Sequence, residues 1–112
     1  GGSWINASDA RLKDNVVDYK EGLTQLLKIR PVTYHYNKES GFNTEKEYVG
    51  VLAQELQQIA PYMVSSAKQI NGDKEYLNVD NSAMTYMLIN AVKDQQKIID
   101  ELTKRLEALE NK

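Results

Sequence analysis

Residues 88–109 read LINAVKDQQKIIDELTKRLEAL, and this stretch decides the architecture of the chain. It contains neither Gly nor Pro, and its apolar side chains recur at alternating steps of four and three. That spacing is typical of a heptad seam with two sets of core positions. The first set is Val92, Ile99 and Leu106, and the second is Leu88, Gln95, Leu102 and Leu109. We therefore predict a long helix over residues 81–112 whose seam forms a parallel coiled coil.

A helix of this length needs partner helices. Its 32 residues would extend about 48 Å, too far to serve as one side of a domain built from the remaining 80 residues. Burying the six apolar seam side chains contributes about 9–18 kcal/mol per chain, before the entropic cost of ordering. Residues 81–92 also allow packing against the chain's own domain, because apolar side chains surround much of the helix there.

The number of helices in the coiled coil is less strongly encoded. Ile98 beside Ile99 widens the apolar face and favours more than two strands, and Gln95 in the seam is compatible with a trimer. Arg105 and Glu110 can pair between neighbouring chains. The sequence predicts a parallel oligomer and favours a homotrimer.

The composition excludes several classes of function. With 41% apolar and 27% charged residues the chain can form a core, and a net charge of −2 gives no footprint for nucleic acid or anionic membranes. There is no cysteine and His35 is the only histidine, which excludes disulfides, thiolate metal sites and multi-histidine sites within one chain. No stretch resembles a membrane span or a signal peptide. We expect no metal, no cofactor, no nucleic-acid partner and no membrane partner.

The residues before the long helix mix helix and strand signals without regular alternation. Prolines 31 and 61 end two apolar helical patterns, and Asn71-Gly72-Asp73 is a strong turn signal. The predicted elements are a helix at 19–29, a strand at 32–36 with Val32, Tyr34 and Tyr36 on one face, a helix at 49–60, and strands at 62–65 and 75–79. The fold class is α+β, mainly helical. The domains are an upstream passenger or linker remnant at 1–7, a mixed domain at 8–80 and the helix at 81–112.

Ser8 and Lys13 are the residues to which chemistry can be assigned. A serine hydroxyl becomes a good nucleophile only when a base removes its proton, and a lysine can be that base if desolvation lowers its pKa. An offset of five puts them about 140° apart on a regular helix. A working pair therefore needs Ser8 at or before a helix start, with Lys13 reaching back over the first turn. Residues 8–13 could form such a turn, for which we predict Ser8 as the N-cap. Free N–H groups there could form an oxyanion hole. By spacing alone, a capping serine and a solvated lysine are the simpler interpretation.

Residues 8–15, SDARLKDN, change that balance. They resemble the signature that opens the intramolecular chaperone auto-processing domain of phage tailspikes such as endosialidases, of tail fibres and of a membrane-bound myelin transcription factor. The similarity continues through LLKIRPVTYHY at 26–36, GVLAQE at 50–55, Pro61, residues 76–79 and the closing helix.

The resemblance implies a serine–lysine dyad with Ser8 as nucleophile, Lys13 as general base and Ala7–Ser8 as the bond that is cut. It also implies a homotrimer that helps an upstream passenger of the same polypeptide to fold and then releases it. The place of action would be the host bacterial cytoplasm during virion assembly. The main alternative is a structural trimerisation module without cleavage, and a more remote one is a coiled-coil adaptor for a separate partner.

Four further residues are candidate supports of the pair. Asp9, Arg11 and Asn15 could orient the dyad or the scissile carbonyl, although their chemistry alone favours a surface ion pair and a turn cap. Glu55 could pair with Arg11 or Lys13, although a solvated helix face is the favoured interpretation.

Overall fold

A computed structural model describes residues 7–68 and 72–112. The upstream segment predicted at residues 1–7 therefore lies almost entirely outside the described residues, as does Asn71 of the predicted turn. The described chain contains three helices: α1 Leu23–Leu26, α2 Ala53–Gln57 and α3 Met84–Glu110. Its four strands are β1 Val32–Tyr34, β2 Tyr48–Gly50, β3 Val64–Lys68 and β4 Glu75–Val79. Short 3-10 turns lie at Ala10–Leu12, Lys38–Ser40, Pro61–Met63 and Asn81–Ala83.

The strands form two separate antiparallel hairpins. In the first, Val32 pairs with Gly50, and Tyr34 pairs with Tyr48 with their rings stacked at 5.6 Å. In the second, Val64 pairs with Val79 at one end and Lys68 pairs with Glu75 at the other. The predicted strand at 75–79 is confirmed, and the strand predicted at 62–65 begins two residues later. The strand predicted at 32–36 forms as β1 but ends at Tyr34. Its predicted alternation is confirmed over the whole range, because residues 32, 34 and 36 are half-buried and residues 33 and 35 are exposed.

Two predicted helices are much shorter than their apolar patterns. The helix expected at 49–60 begins only at Ala53, because Val49 pairs with Thr33 in the first hairpin. The helix expected at 19–29 begins only at Leu23, because the backbone of Gly22 is not helical, with φ of −158° and ψ of −124°. On the non-helical backbone of these stretches Ile29 and Val51 pack against the core, whereas Val49 and Leu52 are exposed. Periodicity alone does not distinguish such a stretch from a helix.

A small core holds the domain together. Its fully buried members come from α2, the turn after it and the first half of α3, and partly buried side chains from α1 and the second hairpin surround them. These buried residues are Leu56, Ala60, Met63 and Met87, with Ala91 buried beside them on α3. Pro61 is the first residue of a 3-10 turn that ends at Met63, and this turn places the Met63 side chain in the core. The small size of this core makes a lone chain marginally stable.

The long helix α3 continues far beyond that core. Its 27 residues correspond to about 40 Å, and the molecule measures 70 × 40 × 27 Å. Met87 and Ala91 are buried against the domain, whereas every residue from Val92 onward is exposed. The α+β fold with a long closing helix is thus confirmed. Among residues 7–68 and 72–112, no helix has the length and apolar character that crossing a bilayer requires.

Candidate active site

The 3-10 turn at Ala10–Leu12 organises the start of the described chain. Asp9 is its N-cap, and its carboxylate accepts the backbone N–H of Arg11 at 2.9 Å. The Arg11 guanidinium binds the same carboxylate at 2.8 and 3.1 Å, and this side-chain hydrogen bond lowers the pKa of Asp9. The prediction of Ser8 as the cap is wrong by one residue. A carboxylate that accepts from a backbone N–H and a guanidinium makes charge-assisted hydrogen bonds, which a hydroxyl does not.

With Asp9 as the cap, the side chain of Ser8 is available to Lys13. The Lys13 Nζ donates a hydrogen bond to Ser8 Oγ at 2.8 Å. Lys13 ends the turn with its backbone N–H on the carbonyl of Ala10, and its side chain runs back over the turn. If the amine is neutral, the same contact lets Nζ accept the hydroxyl proton, which is the geometry of a nucleophile and its base.

This pair lies in a fully exposed segment. All residues from Ala7 to Lys20 are exposed, and that includes Leu12, Val16 and Val17. Within the described residues, no hydrogen bond joins residues 8–18 to any other part of the chain. One chain therefore provides the distance between Ser8 and Lys13, but neither burial nor a fixed orientation against the domain.

The other predicted support residues do not converge on the pair. Asn15 adopts a left-handed conformation, with φ of 54°, at the bend after Lys13. Asparagine tolerates this region better than most residues. Glu55, the fourth candidate support, pairs with a residue outside the 8–15 segment. Glu55 binds Arg30 at 2.6 and 3.0 Å, and this hydrogen bond lowers the pKa of Glu55.

Residues 19–23 lie against α3, and we call this segment the strap. The Asn90 side-chain amide donates to the backbone carbonyls of Tyr19 and Glu21, at 2.8 and 2.9 Å. The backbone N–H of Leu23 donates to the Asp94 carboxylate at 3.0 Å. The hydroxyls of Tyr19 and Tyr62 also share a hydrogen bond.

Sequence analysis did not single out the residues that hold the strap. One signal for them existed in Asn90, which has low helix propensity yet lies in the apolar first half of α3. A second signal was Gly22 immediately before a helix. A Cβ at Gly22 would lie 2.6 Å from the Asp94 carboxylate and 2.9 Å from the Asn90 Cβ, so only glycine fits without a shift.

Two grooves lie along α3. One, of about 320 Å³, lies between the strap and the helix and is bordered by Tyr19 and Asn90. The other, of about 390 Å³, is apolar and is lined by Leu88, Ile89 and Val92 with parts of two polar side chains. Among the described residues, no three His, Cys, Asp or Glu side chains come together as a metal site.

Comparisons with known proteins place this arrangement in a family context. A peptidase family described as the chaperone of endosialidase matches residues 8–65, more than half of the chain, and the match begins at Ser8. Myelin regulatory factor homolog 1 of Caenorhabditis elegans is 30% identical over 113 residues, covering 95% of this chain. The long tail fiber protein Gp37 of Enterobacteria phage Ox2 is 32% identical over 98 residues, covering 85% of this chain.

This chain corresponds to only part of each of these relatives. It spans 12% of the nematode protein and 38% of the phage fibre protein. The similarity extends over nearly the whole chain, including the turn with Ser8 and Lys13 and most of α3. The chain belongs to the chaperone-of-endosialidase family.

Proposed function

We propose that this chain is an intramolecular chaperone that trimerises through α3, assists the folding of an upstream passenger and then cuts itself free at Ala7–Ser8. The observation that carries the proposal is the 2.8 Å contact between Lys13 Nζ and Ser8 Oγ, at the first residue of the family match. Relatives named as phage long tail fibre proteins support a fibre as the passenger. For such a passenger, assembly would take place in the bacterial host cytoplasm.

The exposed seam supports the trimer. Its six apolar side chains are between 46% and 64% exposed within one chain, and five of them lie beyond the reach of the domain core. The apolar groove lined by Leu88 and Val92 extends this surface back towards the domain. Association of three copies would remove both surfaces from water, which is the main favourable contribution to such an assembly.

The proposed chemistry uses only groups of this chain and water. Neutral Lys13 takes the hydroxyl proton of Ser8, and Oγ attacks the carbonyl carbon of Ala7. The C–N bond breaks, the acyl group is left on Oγ as an ester, and Lys13 returns the proton to the Ser8 nitrogen. Water then hydrolyses the ester to the Ala7 carboxylate and the Ser8 hydroxyl. The N–H groups of Asp9 and Ala10, without acceptors among the described residues, are candidates to stabilise the oxyanion.

Assembly would also control the reaction. A lysine acts as a base when burial disfavours its charged form, and Lys13 is exposed within one chain. A neighbouring subunit that covered residues 8–17 would supply that burial, with Leu12, Val16 and Val17 as the apolar contacts. Cleavage would then report a completed trimer. Because the passenger loses its assembly domain, cleavage would leave it kinetically trapped in the folded state.

Mass spectrometry of the chain with its natural upstream sequence tests the proposal. We expect the wild type to yield a fragment that begins at Ser8, and Ser8→Ala to stay intact. Ser65→Ala, the same change at an exposed serine of β3, is the matched control and should be cut normally. Equal masses for wild type and Ser8→Ala would remove self-cleavage. A trimer in sedimentation would then leave the alternative, a structural trimerisation module.

A further inference from the structure

The strap joins the segment with Ser8 and Lys13 to the rest of the molecule. Residues 8–18 form no hydrogen bond with the remainder of the described chain, and the first attachments after them are those of Tyr19. Asn90 on α3 binds the strap backbone directly. The strap is therefore the first point at which the chain after the Ser8–Lys13 pair is attached to α3, and it limits how far from this helix the pair can lie.

Asn90 is well suited to hold a backbone segment. Its amide nitrogen has two hydrogens, and both are used, on the carbonyl oxygens of Tyr19 and Glu21. Because carbonyl oxygens only accept hydrogen bonds, the amide nitrogen must face them. The side chain thus fixes two alternate peptide groups of the strap at once, from a half-buried position.

Asp94 holds the other end of the strap. The N–H of Leu23 belongs to the first turn of α1, and Gly22 before it has no side chain to cap it. The Asp94 carboxylate accepts this N–H at 3.0 Å in the manner of an N-cap residue, although it lies 71 positions away in sequence. The missing side chain of Gly22 allows the close approach of Asp94.

We propose that Asn90 and Asp94 are positioning residues for self-cleavage. In sequence they flank Val92, the first seam residue beyond the buried part of α3. The strap is therefore fixed to the helix at the level where the coiled coil begins. Trimerisation of α3 then carries each Ser8–Lys13 pair into a defined place against its neighbours. This inference rests on the proposed function, since positioning has meaning only if Ser8 is cleaved.

Substitutions at Asn90 and Asp94 test the inference, made in the chain with its natural upstream sequence. Asn90→Asp keeps the shape but loses both donors, whereas Asp94→Asn keeps an acceptor for Leu23 that Asp94→Ala removes. We expect Asn90→Asp and Asp94→Ala to slow release of the fragment beginning at Ser8 by about 10²-fold, the scale of a 1 Å misplacement. Asp94→Asn should restore most of that rate. All three variants should remain trimeric in sedimentation velocity.

The outcomes separate this inference from the proposed function. Trimeric Asn90→Asp that is cut at the wild-type rate overturns the inference alone, provided that wild-type cleavage depends on Ser8. If Asn90→Asp does not fold, the Asp94 pair decides, and equal rates for Asp94→Ala and wild type overturn the inference. An uncut wild type overturns the proposed function, and this inference with it.

Discussion

The contact between Ser8 and Lys13 depends on which residue caps a single turn. Asp9 takes the backbone N–H of Arg11 and the guanidinium together, so Ser8 is left with a free hydroxyl in front of the turn. Had Ser8 been the cap, its oxygen would be turned towards the backbone and away from Lys13. The ion pair of Asp9 and Arg11 is exposed and contributes little to stability. Its effect is that the Ser8 hydroxyl remains available to bind Lys13.

Lys13→Arg tests the proposed base at this scale. Arginine keeps the positive charge and the reach, but its guanidinium stays protonated and cannot accept the proton of Ser8. We expect cleavage at Ala7–Ser8 to fall by about 10²–10⁴-fold, as for the loss of a general base, with the trimer intact. Timed mass spectrometry measures the rate.

Lys28→Arg, at an exposed lysine after α1, is the matched control and should be cut normally. Cleavage of Lys13→Arg at the wild-type rate would exclude Lys13 as the base.

At the scale of elements, the start of α3 is fixed from both sides. The Asp80 carboxylate accepts the N–H of Ser82 at 2.9 Å and caps the 3-10 turn that leads into the helix. The Asp80 backbone N–H donates to the carbonyl of Met63 at 2.8 Å, so the cap is tied to the core. The hydrogen bond from Ser82 lowers the pKa of the Asp80 carboxyl.

Asp80→Asn tests the contribution of this cap as a function of pH. Because the pKa is lower in the folded state, the ionised carboxylate stabilises the protein above the ordinary aspartate pKa of about 3.9. That stability is lost as the pH falls through the folded value. Asparagine caps about equally well but does not titrate. We expect the melting temperature of the wild type to fall relative to Asp80→Asn between pH 6 and pH 3.

Thermal denaturation of both proteins across that range is the measurement. A difference in melting temperature that stays constant with pH would show that the Asp80 charge does not contribute.

At the scale of the whole molecule, one chain leaves the apolar seam of α3 exposed to solvent. The domain covers α3 only as far as Ala91, and Ile99 and Leu102 are each about half exposed. Their burial needs other helices, because no part of the described domain reaches them. In the proposed trimer, folding of the complete molecule would be coupled to association and would depend on protein concentration.

The double variant Ile99→Gln, Leu102→Gln tests this coupling. Removing two adjacent seam positions should convert the trimer to a monomer in sedimentation velocity and, if assembly completes the site, stop the cut at Ser8. Lys97→Gln with Lys104→Gln makes the matched change on the outer face of α3 and should leave trimer and cleavage unchanged. A monomeric seam variant that still cuts itself would break the proposed link between assembly and activity.

The sequence by itself determined the features that depend on neighbours a few residues apart. The closing helix follows from heptad spacing, β1 from alternating Val32 and Tyr34, and the Ser8–Lys13 pair from a signature within residues 8–15. Each of these signals comes from residues close together in the chain, whose spacing is the same in any tertiary context.

Only the tertiary structure decided where local patterns are overridden. Val49 joins a strand because Thr33 pairs with it, and Glu55 binds Arg30, which lies 25 residues away in the sequence. Residues 19–22 of the strap stay non-helical, with the carbonyls of Tyr19 and Glu21 bound by Asn90 and the Leu23 N–H bound by Asp94 from 71 residues away. Such contacts have no periodic signal, because their partners are far apart in the sequence.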